Sequence, residues 1–299
     1  MQKGKVSVII PTYKGDDNVV RAVDSALNQT YKNIEIIVVD DNGKGTEEQL
    51  KTEAVLKKYI EEGKITYLTH EQNINGSAAR NTGARNATGE YIALLDDDDE
   101  FLPENIENHV NCFKNLSEEY GITHCAIKRF YDYGRQEIVP PMHEGDILFE
   151  FMCGKVKMGS SCIMVRKSVF DEVNGFDESF RRHQDWEFAA RILSKYKAAI
   201  VNEVGLNKYQ LLRNSAKNPE QYEKNRLYYL EKMKFIIDTF DKKDRNKIYN
   251  AHYQQIAIDY FKAKKFGKCF KWTIKTTNPI KCWATIVRDA LRFIKRRYL

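Results

Sequence analysis

The chain of 299 residues is 42% hydrophobic and 30% charged, which excludes a disordered, collagenous or disulfide-stapled protein and allows one large domain with an appendage. Six scattered cysteines without a CxxC pair and six histidines without HxxxH spacing argue against a zinc framework and fit reduced thiols in the cytoplasm. The net charge of +6 is uneven: residues 262–299 hold 12 Lys and Arg against one acid, Asp289, so the rest stands at −5, which argues against nucleic-acid binding there.

In chain order, KVSVII at 5–10 is short, apolar, β-branched and stopped by Pro11, and reads as a first strand rather than a signal peptide. IEIIVV at 34–39, KITYL at 64–68 and EYIALL at 90–95 repeat the pattern. Between them the spacing predicts helices: one with Val19, Val23, Ala26 and Leu27 on a single face, one over 46–61 capped by Thr46, and one over Ser77–Ala87. Strand–helix–strand repeated three times within 95 residues predicts right-handed crossovers and a mainly parallel α/β sheet covered by helices on both faces. Further on, a helix over 103–116 with Pro103 at its first position, strands at 122–127 and 161–166, and a helix from Asp185 are expected. From residue 221 the pattern is helical alone, so a boundary near Pro219 separates an α/β domain, 1–219, from a helical C-terminal extension, 220–299.

In an open parallel sheet, ligands gather beyond the carboxyl ends of the strands. The residues there are Pro11, Thr12 and Tyr13; Asp40, Asp41 and Asn42; His70 to Asn75; and Asp96 to Asp99. Four successive carboxylates closing an apolar strand repel one another. A hard divalent cation, Mn²⁺ or Mg²⁺, would relieve the repulsion and could bridge a substrate's phosphates; a solvated acidic turn is the alternative. No GxGxxG follows the first strand, and Gly43-Lys44-Gly45-Thr46 lacks the first glycine of a P-loop.

Taken together, VSVIIPTYKG at 6–15, IEIIVVDD at 34–41, NGSAARNTGARNATGEYIALLDDDD at 75–99, and NGFDESF with QDWEFAAR at 174–191 resemble the inverting family-2 glycosyltransferases of the GT-A fold, a Rossmann-like architecture. The order and spacing match over residues 5 to about 215. The resemblance implies transfer from a nucleotide-sugar, a UDP-sugar first among them, to a glycan or lipid-linked glycan acceptor in surface-polysaccharide biosynthesis. It implies that Pro11, Thr12 and Tyr13 line the nucleotide pocket, that Asp40 accepts a hydrogen bond from the base, and that Arg80 sits near the donor. It places Asp96 near the ribose with Asp97 beside it, Asp98 on the Mn²⁺ or Mg²⁺ ion, and Asp185 as catalytic base. Two positions depart from the family: Gln184 stands where Glu is frequent, and Arg213 is followed by Asn214-Ser215 instead of a nearby histidine. Arg213 is left as the cation that could neutralise the diphosphate.

The chemistry agrees with those roles. A leaving diphosphate needs electrostatic stabilisation, and an attacking sugar hydroxyl needs a base within hydrogen-bond reach. Asp185 opens a helix, whose dipole favours the ionised carboxylate; an ordinary N-cap is the other reading of the same position. A sugar-nucleotide nucleotidyltransferase would carry a glycine-rich, basic segment after strand one, which PTYKGDD is not. A non-catalytic binding module on the same fold would be marked by loss of Asp98 or Asp185, and both are present.

At the C-terminus, Trp283, Ile286, Val287, Ala290, Leu291, Ile294 and Tyr298 recur every three or four residues, among Lys281, Arg288, Arg292, Lys295, Arg296 and Arg297. This predicts a basic amphipathic helix suited to an anionic membrane surface, peripheral on its inner face, with packing onto protein as the alternative.

Overall fold

A computed structural model describes residues 1–14, 16–131, 134–210 and 218–298. The opening alternation is β1 (Gln2–Thr12), α1 (Asp16–Leu27), β2 (Ile34–Asp40), α2 (Glu47–Glu61), β3 (Thr66–Thr69), α3 (Gly76–Asn86) and β4 (Gly89–Leu94). Then come β5 (Asp99–Phe101), α4 (Asn105–Lys114), β6 (Tyr120–Tyr131), β7 (Gln136–Val139), α5 (Leu148–Met152), β8 (Ile163–Arg166), α6 (Lys167–Glu172), α7 (Gln184–Leu193) and β9 (Lys197–Gln210). Helices α8 (Pro219–Lys232), α9 (Lys234–Ile237), α10 (Lys242–Lys262), α11 (Phe266–Thr273) and α12 (Pro279–Tyr298) complete the described chain.

The strands form one sheet in the order β3-β2-β1-β4-β8-β6-β9-β5, with β7 on β6. The first four are mutually parallel, as three βαβ crossovers require. Their near-continuous apolar runs fit a sheet covered on both faces: Val6, Val8, Ile9, Ile10 and Val38 are wholly buried. Beyond β4 the sheet is mixed. β8 is antiparallel to β4 and β6, β9 is parallel to β6, and β5 is antiparallel to β9.

Local chemistry sets the ends of the elements. Thr46 caps α2, its Oγ1 accepting from the Gln49 amide at 3.2 Å. Asn75 caps α3, its Oδ1 accepting from the amides of Ser77 at 2.9 Å and Ala78 at 3.0 Å. Pro103 lies before α4 and not at its first position, because its carbonyl accepts from the Thr30 amide at 2.8 Å and holds it in the turn after β5. The expected strand at 161 starts at Ile163, after a 3-10 turn over Ser160–Cys162.

Two compact units result. One comprises residues 1–148 and 156–212, and the other residues 149–155 and 213–299. The second is helical, with Ile256, Ala257, Tyr260, Cys269, Trp272, Cys282 and Ile286 in its core. The short segment 149–155 belongs to it: His252 Nε2 lies 3.0 Å from the Met152 carbonyl, the Tyr229 hydroxyl donates to Met152 Sδ at 3.3 Å, and the Phe149 and Phe240 rings are 5.8 Å apart. Ile286 is buried and Trp283 packs against the same core, so this stretch of the basic helix rests on its own unit. No helix among the described residues is long and apolar enough to cross a membrane.

Candidate active site

Parallel pairing aligns the strand ends that carry polar residues. The Asp41 amide donates to the Thr12 carbonyl at 2.9 Å, the His70 amide to the Asp40 carbonyl at 2.9 Å, and the Leu95 amide to the Ile9 carbonyl at 3.0 Å. Thr12, Asp40 and the acidic run after β4 are thereby brought to one rim.

On one side of the rim, Asp97 Oδ2 accepts from Thr12 Oγ1 at 2.7 Å and from the Tyr13 amide at 3.4 Å. Burial, outweighing the Thr12 hydrogen bond and helped by Asp98 and Asp96, pushes the Asp97 carboxyl up to about 7. Tyr13 is 50% exposed. Pro11 pairs in register with Val39, so its place is in the strand end itself. Asp40 is wholly buried; its Oδ1 accepts from the Asn42 amide at 2.8 Å and its Oδ2 from the Tyr67 hydroxyl at 2.6 Å. Burial outweighs both bonds and raises its carboxyl. Asp41 ties the loop after β3 to β2, accepting from Asn73 Nδ2 at 2.8 Å and the Ile74 amide at 2.9 Å, with His70 Nδ1 at 2.7 Å.

On the other side, α3 aims Arg80 at the acidic run. Arg80 Nη2 donates to Asp96 Oδ1 at 2.5 Å, and Nη1 donates to Gln184 Oε1 at 3.1 Å. Because Gln184 is neutral, the guanidinium charge is left to Asp96. Burial works against the charged form of Asp96, yet Arg80 and Lys208 hold its carboxyl below the ordinary range. The Ser161 hydroxyl joins the Asp96 amide, 3.1 Å, to Asp99 Oδ2, 2.6 Å. Lys208, directly opposite Asp99 in the β5–β9 register, donates to the same Oδ2 at 2.6 Å and lies 3.8 Å from Asp96 Oδ2. Burial opposes the Lys208 charge, but Asp99 and Asp96 raise its ammonium above the usual value. Arg21 Nη2 donates to the Asp98 carbonyl at 2.8 Å and steadies the turn. Burial, then the neighbouring Asp96, raises the Asp98 carboxyl.

Asp96, Asp98 and Asp99 can each offer a carboxylate oxygen within 4.8 Å of the others. Asp99 Oδ1 is buried without a hydrogen-bond partner among the described residues. An oxygen-only donor set with an unsatisfied buried oxygen fits a hard cation such as Mg²⁺ or Mn²⁺.

Asp185 is the second residue of α7, whose cap position is His183 in the left-handed region at φ 61°, so the N-cap reading of Asp185 does not hold. Its Oδ1 accepts from the Trp186 amide at 3.0 Å. Burial, then the charge of Asp96, pushes its carboxyl up to about 6, against the pull of Arg80 and Lys208. Gly159 lies beside it: a β-carbon there would come within ordinary contact, 3.9 Å, of Asp185 Oδ2.

Most expected residues therefore fall into two joined groups, Thr12–Tyr13–Asp97 and Arg80–Asp96–Asp98, with Asp185 coupled electrostatically to the second. Arg213 lies outside the described residues. Asp99, Lys208, Ser161 and Arg21 were not singled out by sequence. Asp99 stood in the acidic run as a visible signal, whereas Lys208 and Ser161 are assigned by pairings of strands and turns far apart in the chain.

A family model described as Glycosyl transferase family 2 matches residues 7–173. An amylovoran biosynthesis glycosyltransferase, AmsB of Erwinia amylovora, is 27% identical over 235 residues, 76% of this chain and 77% of its own length. An uncharacterised glycosyltransferase of Rickettsia bellii is 34% identical over 194 residues, and the chain spans 27% of that longer protein. Among solved structures, TarS 1–349 of S. aureus with UDP-GlcNAc aligns at a TM-score of 0.58 and 16% identity over 91% of this chain and 90% of its own. The mannosyltransferase PcManGT of Pyrobaculum calidifontis, with GDP-Man and Mn²⁺, aligns at 0.59 and 15% identity over 97% and 80%. With its sheet order, its acidic rim and the family match over more than half its length, the chain belongs to glycosyl transferase family 2 and is a glycosyltransferase of the GT-A fold.

Proposed function

We propose that the protein is a metal-dependent, inverting glycosyltransferase that moves a sugar from a UDP-sugar to a hydroxyl of a glycan or lipid-linked glycan in surface-polysaccharide biosynthesis. The observation that carries this reading is the convergence of the Asp96, Asp98 and Asp99 carboxylates beside Asp185, with Arg80 reaching from Asp96 to Gln184. Asp98, aided by Asp96 and Asp99, would hold Mn²⁺ or Mg²⁺, which when bound neutralises charge on the departing diphosphate. Pro11, Thr12, Tyr13 and Asp40 border the nucleotide, and Asp97 supports Thr12 and Tyr13 from beneath. Arg213 joins the phosphate side.

Asp185 takes the proton of the acceptor hydroxyl as that oxygen attacks the anomeric carbon from the face opposite the leaving group. A carboxyl pushed up to about 6 is a stronger base than an ordinary aspartate and is still ionised at neutral pH. Support for a nucleotide-sugar donor also comes from the solved neighbours, one bound to UDP-GlcNAc and one to GDP-Man with Mn²⁺. AmsB, named for amylovoran biosynthesis, supports the biosynthetic setting. A lipid-linked acceptor places the enzyme in the cytoplasm against an anionic membrane. Because Trp283 and Ile286 are taken up in packing, the apolar contact there must include other residues.

The test is a screen of UDP-, GDP- and dTDP-sugars for hydrolysis, with UDP thermal shifts read with and without Mn²⁺. UDP is expected to raise the melting temperature only with the cation. Asp185→Asn should abolish turnover with UDP affinity nearly unchanged, while Asp98→Ala should weaken both. Full activity in Asp185→Asn would overturn the assignment of the base.

A further inference from the structure

The helical unit carries apolar side chains that its own core leaves outside. On α11, Cys269, Trp272 and Thr273 are buried, while Phe266, Phe270 and Ile274, spaced by four residues, are 57%, 54% and 54% exposed. On α12, Cys282 and Ile286 turn inward, while Ile280 and Val287 are 84% and 48% exposed. Single exposed apolar residues are ordinary on a protein surface; two phenylalanines and an isoleucine in one helical row form a patch, and Ile280 stands exposed at the start of the next helix. Its frame is mainly basic, although Glu220 of α8 pairs with Lys265 and Lys268. Lys264, Lys271, Lys275 and Lys281 are exposed, and residues 260–288 include no Asp or Glu.

We propose that this face of α11 and the start of α12 dock on an anionic lipid bilayer. Phe266, Phe270, Ile274 and Ile280 enter the interfacial layer, while the lysines meet headgroup phosphates and keep their ammonium groups in water. The proposal deepens the membrane-side partner named above and rests on that reading for its biological setting alone. Charge complementarity selects the occupant. A second copy would bring together two tails that each hold 12 Lys and Arg against one acid, whereas an anionic bilayer supplies the opposite sign. Each lysine brought to such a surface strengthens binding about fivefold, and the apolar row adds a part that salt does not screen.

The test is sedimentation of the full chain with vesicles of phosphatidylcholine alone or mixed with phosphatidylglycerol in roughly a 7:3 ratio. Binding is expected to the mixed vesicles only, weakened by raised salt. The variant F266S/F270S/I274S should bind about tenfold or more weakly, with the UDP and Mn²⁺ thermal shift unchanged, which separates failure of docking from failure of the enzymatic reading. K264Q/K271Q/K275Q changes only exposed side chains and should lose most of the preference for anionic vesicles. Absence of binding by the parent chain, or parent-level binding by the triple serine variant, would overturn the proposal. So would self-association that the serine variant abolishes, since the face would then belong to a second copy.

Discussion

Lys208 stands where a bound cation would share its work. Its ammonium lies 2.6 Å from the wholly buried Asp99 and 3.8 Å from Asp96, and it offsets part of the repulsion among the acids of the rim. Replacing it with methionine strips Asp99 of its ionic partner and leaves that oxygen to the Ser161 hydroxyl. We expect a loss of about 2 kcal/mol, smaller than the roughly 3–5 of a fully enclosed pair because the lysine side chain is 34% exposed. Added Mn²⁺ should recover part of the lost melting temperature in Lys208→Met, because an ion at the same carboxylates replaces the missing positive charge; a deficit indifferent to Mn²⁺ would refute this. At this scale the sequence revealed residues whose type and place speak for themselves: Asp96 and Asp98 close an apolar strand, and Asp185 precedes an apolar helical run. It concealed those whose meaning depends on a distant partner. Lys208 meets Asp99 across 109 residues and Ser161 meets it across 62. Gln184, read as a departure, is the neutral acceptor for Arg80.

Among the elements, α3 does most to fix the site. One face presents Arg80 to Asp96. Another presents Asn81, which donates to the Phe176 carbonyl at 2.9 Å and accepts from the Phe176 amide at 2.8 Å, pinning the loop that leads to α7. A third face lies flat on β1: a β-carbon on Gly83 would come 2.4 Å from Ile9 Cγ2. Gly83→Ala gains helix propensity but forces α3 off the strand, so we expect a net destabilisation of about 1–3 kcal/mol. A lower urea midpoint with unchanged slope would show it, and a midpoint equal to the parent's would refute the close approach. The β1–β4 alternation was legible because period, length and turn residues agree over 95 residues. The later half was less so. β6 and β9 run longer than their apolar segments, and their register shifts at Cys125 and Ala126 belong to pairing, which leaves no local signal.

For the catalytic unit as a whole, opposing titrations set the dependence on pH. Asp97, pushed up to about 7, keeps in the fold a proton that the unfolded chain has released, so stability falls as pH rises through its folded value. His109 and His124, held down by burial to about 3 and about 4, act in the opposite sense, since only the unfolded chain takes up their protons below about 6.5. Between about pH 5 and 6.5 the raised carboxyls of Asp97, Asp185 and Asp99 outweigh the two histidines, and above that window Asp97 dominates. We expect the melting temperature to fall gently over that range, then to decline further by about 1 kcal/mol by pH 8. Mn²⁺ should flatten the decline by favouring the ionised carboxylates; a steady rise from pH 6.5 to 8 without metal would contradict this assignment.

The segment 149–155 carries a consequence for how the chain is made. It is translated long before Tyr229, Phe240 and His252, the residues that later enclose Met152 and Phe149. Until the C-terminal helices leave the ribosome, this strip of apolar side chains waits uncovered between portions of the sheet-bearing unit that are already assembling. The nascent protein thus passes through an interval in which one fold is nearly complete while a borrowed piece of the other hangs open. Ribosomal stalling just after residue 219 would leave it so, an invitation to chaperones and to aggregation.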